Sequence, residues 1–82
     1  MFRILSENKN VDQVKTALVR LGLDYTVYFG EGAWQGQSEN SLMIELDNIP
    51  RRLAEEAAIL IKEMNHQQAV LLHEIPVMSR FL

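Results

Sequence analysis

Residues 11–29 read VDQVKTALVRLGLDYTVYF, and the spacing of the apolar residues changes within this stretch. In its first part they recur every three or four positions, which places them on one face of a helix. Asn10 is expected to cap this helix with its side chain, and Gly22 to end it in a left-handed conformation. From Tyr25 onward apolar and polar residues alternate, as in a half-buried strand. The stretch therefore predicts a helix over residues 11–21 followed by a strand.

Three further segments have the patterns of strands. A short apolar run at residues 2–5 fits a first strand, and residues 69–75 form an almost continuous apolar run that Pro76 closes. Alternation at residues 42–47 predicts a strand that pairs with the one ending at Phe29 in an antiparallel hairpin. The chain thus contains four predicted strands.

A second helix is predicted between the third and fourth strands. Pro50 suits its first turn, Asn48 is expected to cap it, and Asn65 marks its end. The order βαββαβ is that of the ferredoxin-like α+β fold, a four-stranded antiparallel sheet with both helices on one face. The expected core is Ile4, Val14, Leu18, Leu21, Val27, Phe29, Leu42, Ile44, Leu46, Leu53, Leu60 and Ile61.

The other face of this sheet has no element of the chain to cover it. Alternation places Arg3, Leu5, Thr26, Tyr28, Met43 and Glu45 there, and the fourth strand adds large aliphatic residues whichever way it faces. Self-association into a dimer or trimer is the expected way to cover this surface, and the alternative is that the tail folds back over it. The expected oligomer interface is Leu5, Tyr28, Met43, Leu71, Met78, Phe81 and Leu82.

Length and composition limit the function classes. The 82 residues allow one domain, expected over residues 1–76 with a short apolar tail at 77–82. The absence of cysteine excludes disulfides and thiolate metal sites, and the net charge of −3 argues against binding a nucleic-acid backbone. We expect neither a signal peptide nor a membrane span, and place the protein in the cytoplasm.

Residues 30–41 are the segment richest in candidate binding groups. Three glycines fall within seven positions, around the only tryptophan of the chain, so the segment is predicted to be a long loop that contacts a ligand or partner. The alternative is a decorated hairpin whose Trp34 lies back on the open face of the sheet and has no binding role. Residues 30–41 lack the glycine patterns of dinucleotide-binding and Walker A loops. The candidate loop residues are Gly30, Glu31, Gly32, Trp34, Gln35, Gly36, Gln37, Glu39 and Ser41.

Arg51 and Arg52 stand at the start of the second helix, where anions bind favourably, and are candidate anion contacts. The alternative pairs them with Glu55 and Glu56 one turn later. His66 and His73 show no zinc-binding spacing, so neither a metal nor another cofactor is expected. The sequence contains no recognisable catalytic constellation, and an enzyme is not expected.

The order of the elements and the segment Trp34–Glu39, which reads WQGQSE, resemble the PII-like superfamily, in particular CutA-type proteins. The resemblance implies a trimer of ferredoxin-like protomers and a nucleotide or other small ligand bound at subunit clefts by the loop between the second and third strands. The cysteine often linked with metal in CutA-type proteins is absent here.

Two functions follow from these observations. The first is a non-enzymatic, self-associating small-molecule-binding or regulatory module of PII/CutA-like form, with Arg51 and Arg52 bordering an intersubunit cleft. The alternative is a small protein-interaction module, an adaptor or inhibitor of the kind phages encode, which docks on a larger protein through the open sheet face and the tail.

Overall fold

The chain forms one antiparallel sheet with two helices on one side, which confirms the predicted ferredoxin-like fold. A computed structural model describes the backbone of all 82 residues and every side chain except that of Trp34. The strand order across the sheet is β2-β3-β1-β4. Its elements are β1 (Phe2–Glu7), α1 (Val11–Arg20), β2 (Thr26–Trp34), β3 (Gln37–Leu46), α2 (Arg51–Met64) and β4 (Leu71–Glu74).

The core lies between the helices and the two central strands, β1 and β3. Ile4 of β1 is directly opposite Ile44 of β3, and both are fully buried. Alanines on the inner side of α2 allow this helix to approach the sheet closely. The largest fully buried side chains all belong to the predicted core: Ile4, Val14, Leu18, Leu42, Ile44, Leu46 and Ile61.

The prediction that Phe29 belongs to the core is wrong. Phe29 shares the helix-side face of the sheet with Leu42, its partner on β3, yet its side chain is 61% exposed. The reason is position rather than alternation, because β2 is an edge strand and the helices bury chiefly the central strands. Val27 on the same strand is only partly buried.

The segment predicted as a long loop is instead a β-hairpin. β2 continues to Trp34, β3 begins at Gln37, and only Gln35 and Gly36 lie between them. These two residues have φ of 52° and 79°, the left-handed pair that a type I′ hairpin turn requires. The register of β1 on β3 ends at Ser41, so residues 31–40 form a two-stranded extension, here called the ribbon.

The ribbon turn gives a first testable prediction. Gly36→Ala is expected to lower the free energy of unfolding by about 1–2 kcal/mol, because an L-residue is strained in the left-handed region, and the φ of Gly36 is 79°. Urea unfolding measures the change. Gly32→Ala is the matched control, since its Cβ would meet Ser41 Oγ at 3.9 Å, an ordinary contact. Equal losses in the two variants would contradict the turn.

The ends of the helices differ in part from the prediction. Gly22 has φ 74° just after α1, as expected. Asn10 occupies the cap position but makes no capping hydrogen bond. Its Nδ2 instead donates to Oδ1 of the buried Asn65 over 3.0 Å, so it ties the start of α1 to the end of α2.

At the start of α2, Pro50 occupies the cap position before the first helical turn. Asn48 lies two residues earlier, in a bend with φ 56°, and does not cap the helix. The predicted end at Asn65 is confirmed.

The last strand is shorter than predicted, and the tail after it is exposed. Met1 and Ile75 continue the pairing of β1 with β4 through reciprocal backbone hydrogen bonds. Beyond Pro76, the tail residues 77–82 are exposed, with Phe81 at 107% and Leu82 at 110% of reference accessibility. The alternative in which the tail folds back over its own sheet is therefore wrong.

Candidate functional site

The open face of the sheet carries two rows of side chains that cross all four strands. The register settles the orientation of β4, since Leu71 pairs with Leu5 and His73 with Arg3. The first row, here called the apolar row, consists of Tyr28, Met43, Leu5 and Leu71. The second, the charged row, consists of Thr26, Glu45, Arg3 and His73.

The apolar row is uncovered. Tyr28 and Leu71, on the two edge strands, are 49% and 53% exposed, while Leu5 and Met43 between them are half-buried. Four adjacent strands at about 4.8 Å spacing make this row about 14 Å long. The predicted interface residues of the sheet are thus contiguous. Met78, Phe81 and Leu82 are not part of this surface, because they lie in the exposed tail that leaves the edge at β4.

The charged row is held by an ion pair. Arg3 Nη2 lies 3.5 Å from Glu45 Oε1 across β1 and β3, and the two side chains are 30% and 22% exposed. Among the described atoms, Arg3 Nε is buried and has no hydrogen-bond partner. The charged row therefore places one positive and one negative side chain in fixed positions beside the apolar row.

The ribbon and adjoining strand residues hold all the candidate loop residues. Gly30 and Gly32 lie on the open-face side of β2, opposite Ser41 and Glu39 of β3. Because these two glycines have no side chains, the backbone of β2 is accessible there, beside the Ser41 hydroxyl and the Glu39 carboxylate. Glu31 has the opposite orientation, toward the helix side, and is exposed. The side chain of Trp34 lies outside the described part, so its binding role stays a prediction.

The candidate anion contacts lie at the far end of the sheet from the ribbon tip. Arg51 starts α2 shortly after β3 ends at Leu46, whereas the tip is at Gln37, where β3 begins. Ten strand residues at about 3.3 Å each separate these ends by about 30 Å. Within one chain, Arg51 and Arg52 therefore do not border the same cleft as the ribbon tip.

The alternative interpretation, in which Arg51 pairs with Glu55 and Arg52 with Glu56, is wrong, because neither ion pair forms among the described side chains. Arg51 Nη2 lies 2.6 Å from Glu74 Oε2, which ends β4. Glu74 is opposite Phe2 on β1, and Phe2 is opposite Leu46 on β3, so the end of β4 adjoins the start of α2. Among the ion pairs of the described side chains, Arg52 takes part in none.

A groove between the two helices was not predicted from the sequence. It encloses about 520 Å³ on the outer side of the helix layer. Its lining combines four apolar and three polar residues: Gln13, Thr16, Ala17, Arg20, Leu21, Leu60 and Met64. The half-buried Leu60 and Met64 on α2 are the sequence signal for it, since they lie at the margin of the buried stripe.

Among the described side chains, no three histidine or carboxylate groups come together in a way that could hold a metal ion. In the described chain, neither helix has the length and apolar character needed to cross a bilayer.

The fold of this chain resembles that of proteins with solved structures. No protein-family model and no curated protein matches the sequence. The chain is similar to CPII, a nitrogen regulatory PII-like protein from Thiomonas intermedia K12 bound to ADP, AMP and bicarbonate, with a TM-score of 0.65 and 18% identity over 98% of this chain and 92% of that chain.

It is also similar to a functionally unknown protein from Pediococcus pentosaceus ATCC 25745, with a TM-score of 0.62 and 16% identity over 98% of this chain and 93% of that chain. At such identities the likeness shows a shared fold. It supports the predicted resemblance to the PII-like superfamily at that level, and not to CutA-type proteins in particular.

Proposed function

We propose that this protein is a non-enzymatic regulatory module that self-associates through its open sheet face and binds a small ligand with its ribbon. The observation that carries the proposal is the apolar row, which nothing in the described chain covers. The fold shared with a PII-like protein supports the same conclusion.

Self-association through this face has a definite energetic basis. Burying about 400 Å² of apolar surface is worth on the order of 10 kcal/mol at about 25 cal/mol per Å². The loss of translational and rotational freedom opposes association by a similar amount. The apolar row therefore supplies the attraction, while the charged row fixes the orientation in which two copies can meet.

The ribbon is the proposed ligand-binding element. Its turn and strands present the side-chain amides of Gln35 and Gln37, the Ser41 hydroxyl at its base and the backbone beside Gly32. Such groups bind polar ligands by hydrogen bonds. The structurally similar CPII is bound to ADP, AMP and bicarbonate, which makes these the first ligands to test.

A ligand with phosphate groups needs cations that the ribbon lacks. In one chain, Arg52 is about 30 Å from the ribbon tip, as judged from the length of β3. A nucleotide cleft would therefore combine the ribbon of one copy with Arg52 of another. Ligand binding then depends on self-association.

The ligand prediction can be tested directly. Trp34 is the only tryptophan, so its fluorescence reports on the ribbon alone. Adding ADP, AMP or bicarbonate is expected to change this fluorescence with saturation for at least one of them. At about a hundred times its dissociation constant a ligand stabilises the folded state by about 2.7 kcal/mol, or about 10–20 °C in melting temperature for a domain of this size.

The matched variants are Trp34→Ala in the ribbon and Val19→Ala on α1, where the side chain is 64% exposed. The first should reduce the ligand-induced rise in melting temperature and the second should leave it unchanged. An equal rise in both variants would remove the ribbon from the site. The absence of any effect from all three compounds would argue against this ligand class.

A protein-docking module is the second candidate function. The observation that favours it is the fully exposed tail, in which Met78 stands at 103% of reference accessibility. Under this alternative the open face and tail contact a different protein, and the isolated chain stays monomeric. The oligomeric state therefore separates the two candidates.

A further inference from the structure

The charged row lies within the surface that self-association would cover. Strand residues two apart lie about 7 Å apart on the same face. His73 therefore stands beside Leu71 on β4, and the charged row runs directly beside the apolar row. The apolar row is about 14 Å long and about 7 Å wide, a footprint of about 100 Å². Since a stable interface buries about 800 Å² on each partner, an interface centred on the apolar row extends over the charged row as well.

His73 is the member of the charged row whose charge can change near neutral pH. Imidazole side chains gain or lose a proton between about pH 5 and 8, whereas guanidinium groups keep their charge there. With a neutral imidazole the row of one chain has no net charge, because Arg3 and Glu45 compensate each other. Protonation of His73 leaves the row with one uncompensated positive charge.

The nearest groups on the open face do not compensate that charge. The residue directly opposite His73 on β1 is Arg3, so a protonated imidazole stands beside another cation. Like charges on directly opposed strand residues are destabilising. Glu45 lies one strand further away and is already paired with Arg3 over 3.5 Å. The amino group of Met1 also lies at this end of the sheet, where it donates to the Ile75 carbonyl over 3.0 Å.

The other carboxylates around β4 and β1 are paired or distant. Glu74 has the opposite orientation to His73, toward the helices, and pairs with Arg51 of α2 over 2.6 Å. Glu7, on the open face of β1, pairs with Lys9 over 2.7 Å. Asp47 follows the end of β3, which β1 separates from β4.

Water compensates the charge of a protonated imidazole only in the free chain. His73 is exposed on the edge strand β4. An interface removes that water, and an uncompensated charge is costly to bury. The oligomer therefore favours the neutral imidazole, whereas the free chain accepts either form. By linkage, association strengthens as the pH rises and weakens as it falls.

We propose that His73 makes self-association through the open face depend on pH, so that copies assemble when its imidazole is neutral and separate when it is protonated beside Arg3. This inference rests on the self-association in the proposed function and adds a regulation of the same surface. The signal to which the surface responds is a fall from about pH 7.5 to about pH 5.5.

Sedimentation velocity of the unmodified chain at about pH 7.5 and about pH 5.5 tests this dependence. A histidine that ionises in the free chain and stays neutral in the oligomer weakens association by about tenfold for each copy over this range. We expect the dissociation constant to rise accordingly at the lower pH. An unchanged dissociation constant would overturn the inference. Tighter association at the lower pH would overturn it too, because His73 would then meet a carboxylate of the second copy.

The chain contains two histidines, which provide matched variants. His73→Gln keeps a neutral polar side chain at this position and is expected to associate equally at both pH values. His73→Lys places a permanent charge beside Arg3 and is expected to associate weakly at both. His66→Gln changes the exposed histidine in the turn after α2 and should keep the pH dependence of the natural chain. Loss of the pH dependence in His66→Gln, with its retention in His73→Gln, would contradict the role of His73.

These measurements separate the inference from the proposed function. A chain that associates equally at both pH values leaves the sheet-face contact standing and removes the role of His73. A chain that is monomeric at both pH values contradicts the proposed function, and the inference with it. Association that acid weakens in the natural chain but not in His73→Gln supports both. That variant also shows that the domain remains folded and able to associate at the lower pH.

Discussion

A Leu71→Glu variant is expected to remain folded and to lose self-association. Leu71 lies at one end of the apolar row and is 53% exposed, so the monomer can carry a carboxylate there. In the interface, an unpaired buried charge costs about 3–5 kcal/mol. The dissociation constant should therefore rise by about a hundredfold or more. Sedimentation velocity over a range of concentrations measures the change.

Ile59→Glu provides the matched control for this variant. Ile59 is 55% exposed on the outer side of α2, so the new charge meets the same degree of solvent without touching the sheet face. This variant is expected to associate like the natural chain. If both glutamate variants weaken association equally, the effect is one of net charge and the open face is not the interface.

The second large effect concerns the core. Ile61→Ala is expected to lower the free energy of unfolding by about 2–5 kcal/mol, because truncating a buried isoleucine loses its transfer energy and leaves a cavity. Ile61 is fully buried beneath α2. A domain of this size has a total stability of about 4–12 kcal/mol, so the variant should lie close to unfolding at room temperature.

Ile59→Ala is the control, because it makes the same substitution two residues earlier on the same helix at an exposed position. Its effect is expected to be within about 0.5 kcal/mol. Urea unfolding should be carried out in the monomeric Leu71→Glu background, since association otherwise makes stability depend on concentration. Similar losses at Ile59 and Ile61 would contradict the burial of α2 on the sheet.

The order of elements could be predicted because both periodicities are strong. The change from helical to alternating spacing between Leu18 and Val27 fixes where α1 ends and β2 begins. Alternation also assigned Leu5, Tyr28 and Met43 to the open face correctly, since this depends only on strand parity.

The three glycines at residues 30, 32 and 36 favour a loop, and the sequence therefore did not predict the ribbon. Gly36 alone among those of the hairpin has a positive φ, while Gly30 and Gly32 lie within a regular strand. The dipeptide Gln35-Gly36 is the signal that could have found the turn, because a glycine at the second position of a two-residue turn suits type I′ geometry.

Long-range features could not be predicted from spacing alone. The pairing of Arg51 with Glu74 joins residues that are distant in the chain, whereas sequence reasoning favours partners one turn apart. The exposure of Phe29 depends on β2 being an edge strand, which is a property of the sheet and not of local alternation. The candidate ligand cleft depends further on how copies meet, and a single chain does not contain that information.

Sedimentation equilibrium of the unmodified chain is the most direct test of a covered sheet face. At micromolar concentration the mass is expected to be two or three times the 9.4 kDa of the single chain. It should fall toward the monomer on dilution. A mass of 9.4 kDa across the whole accessible concentration range would mean that the apolar row stays exposed to water, and would contradict self-association through this face.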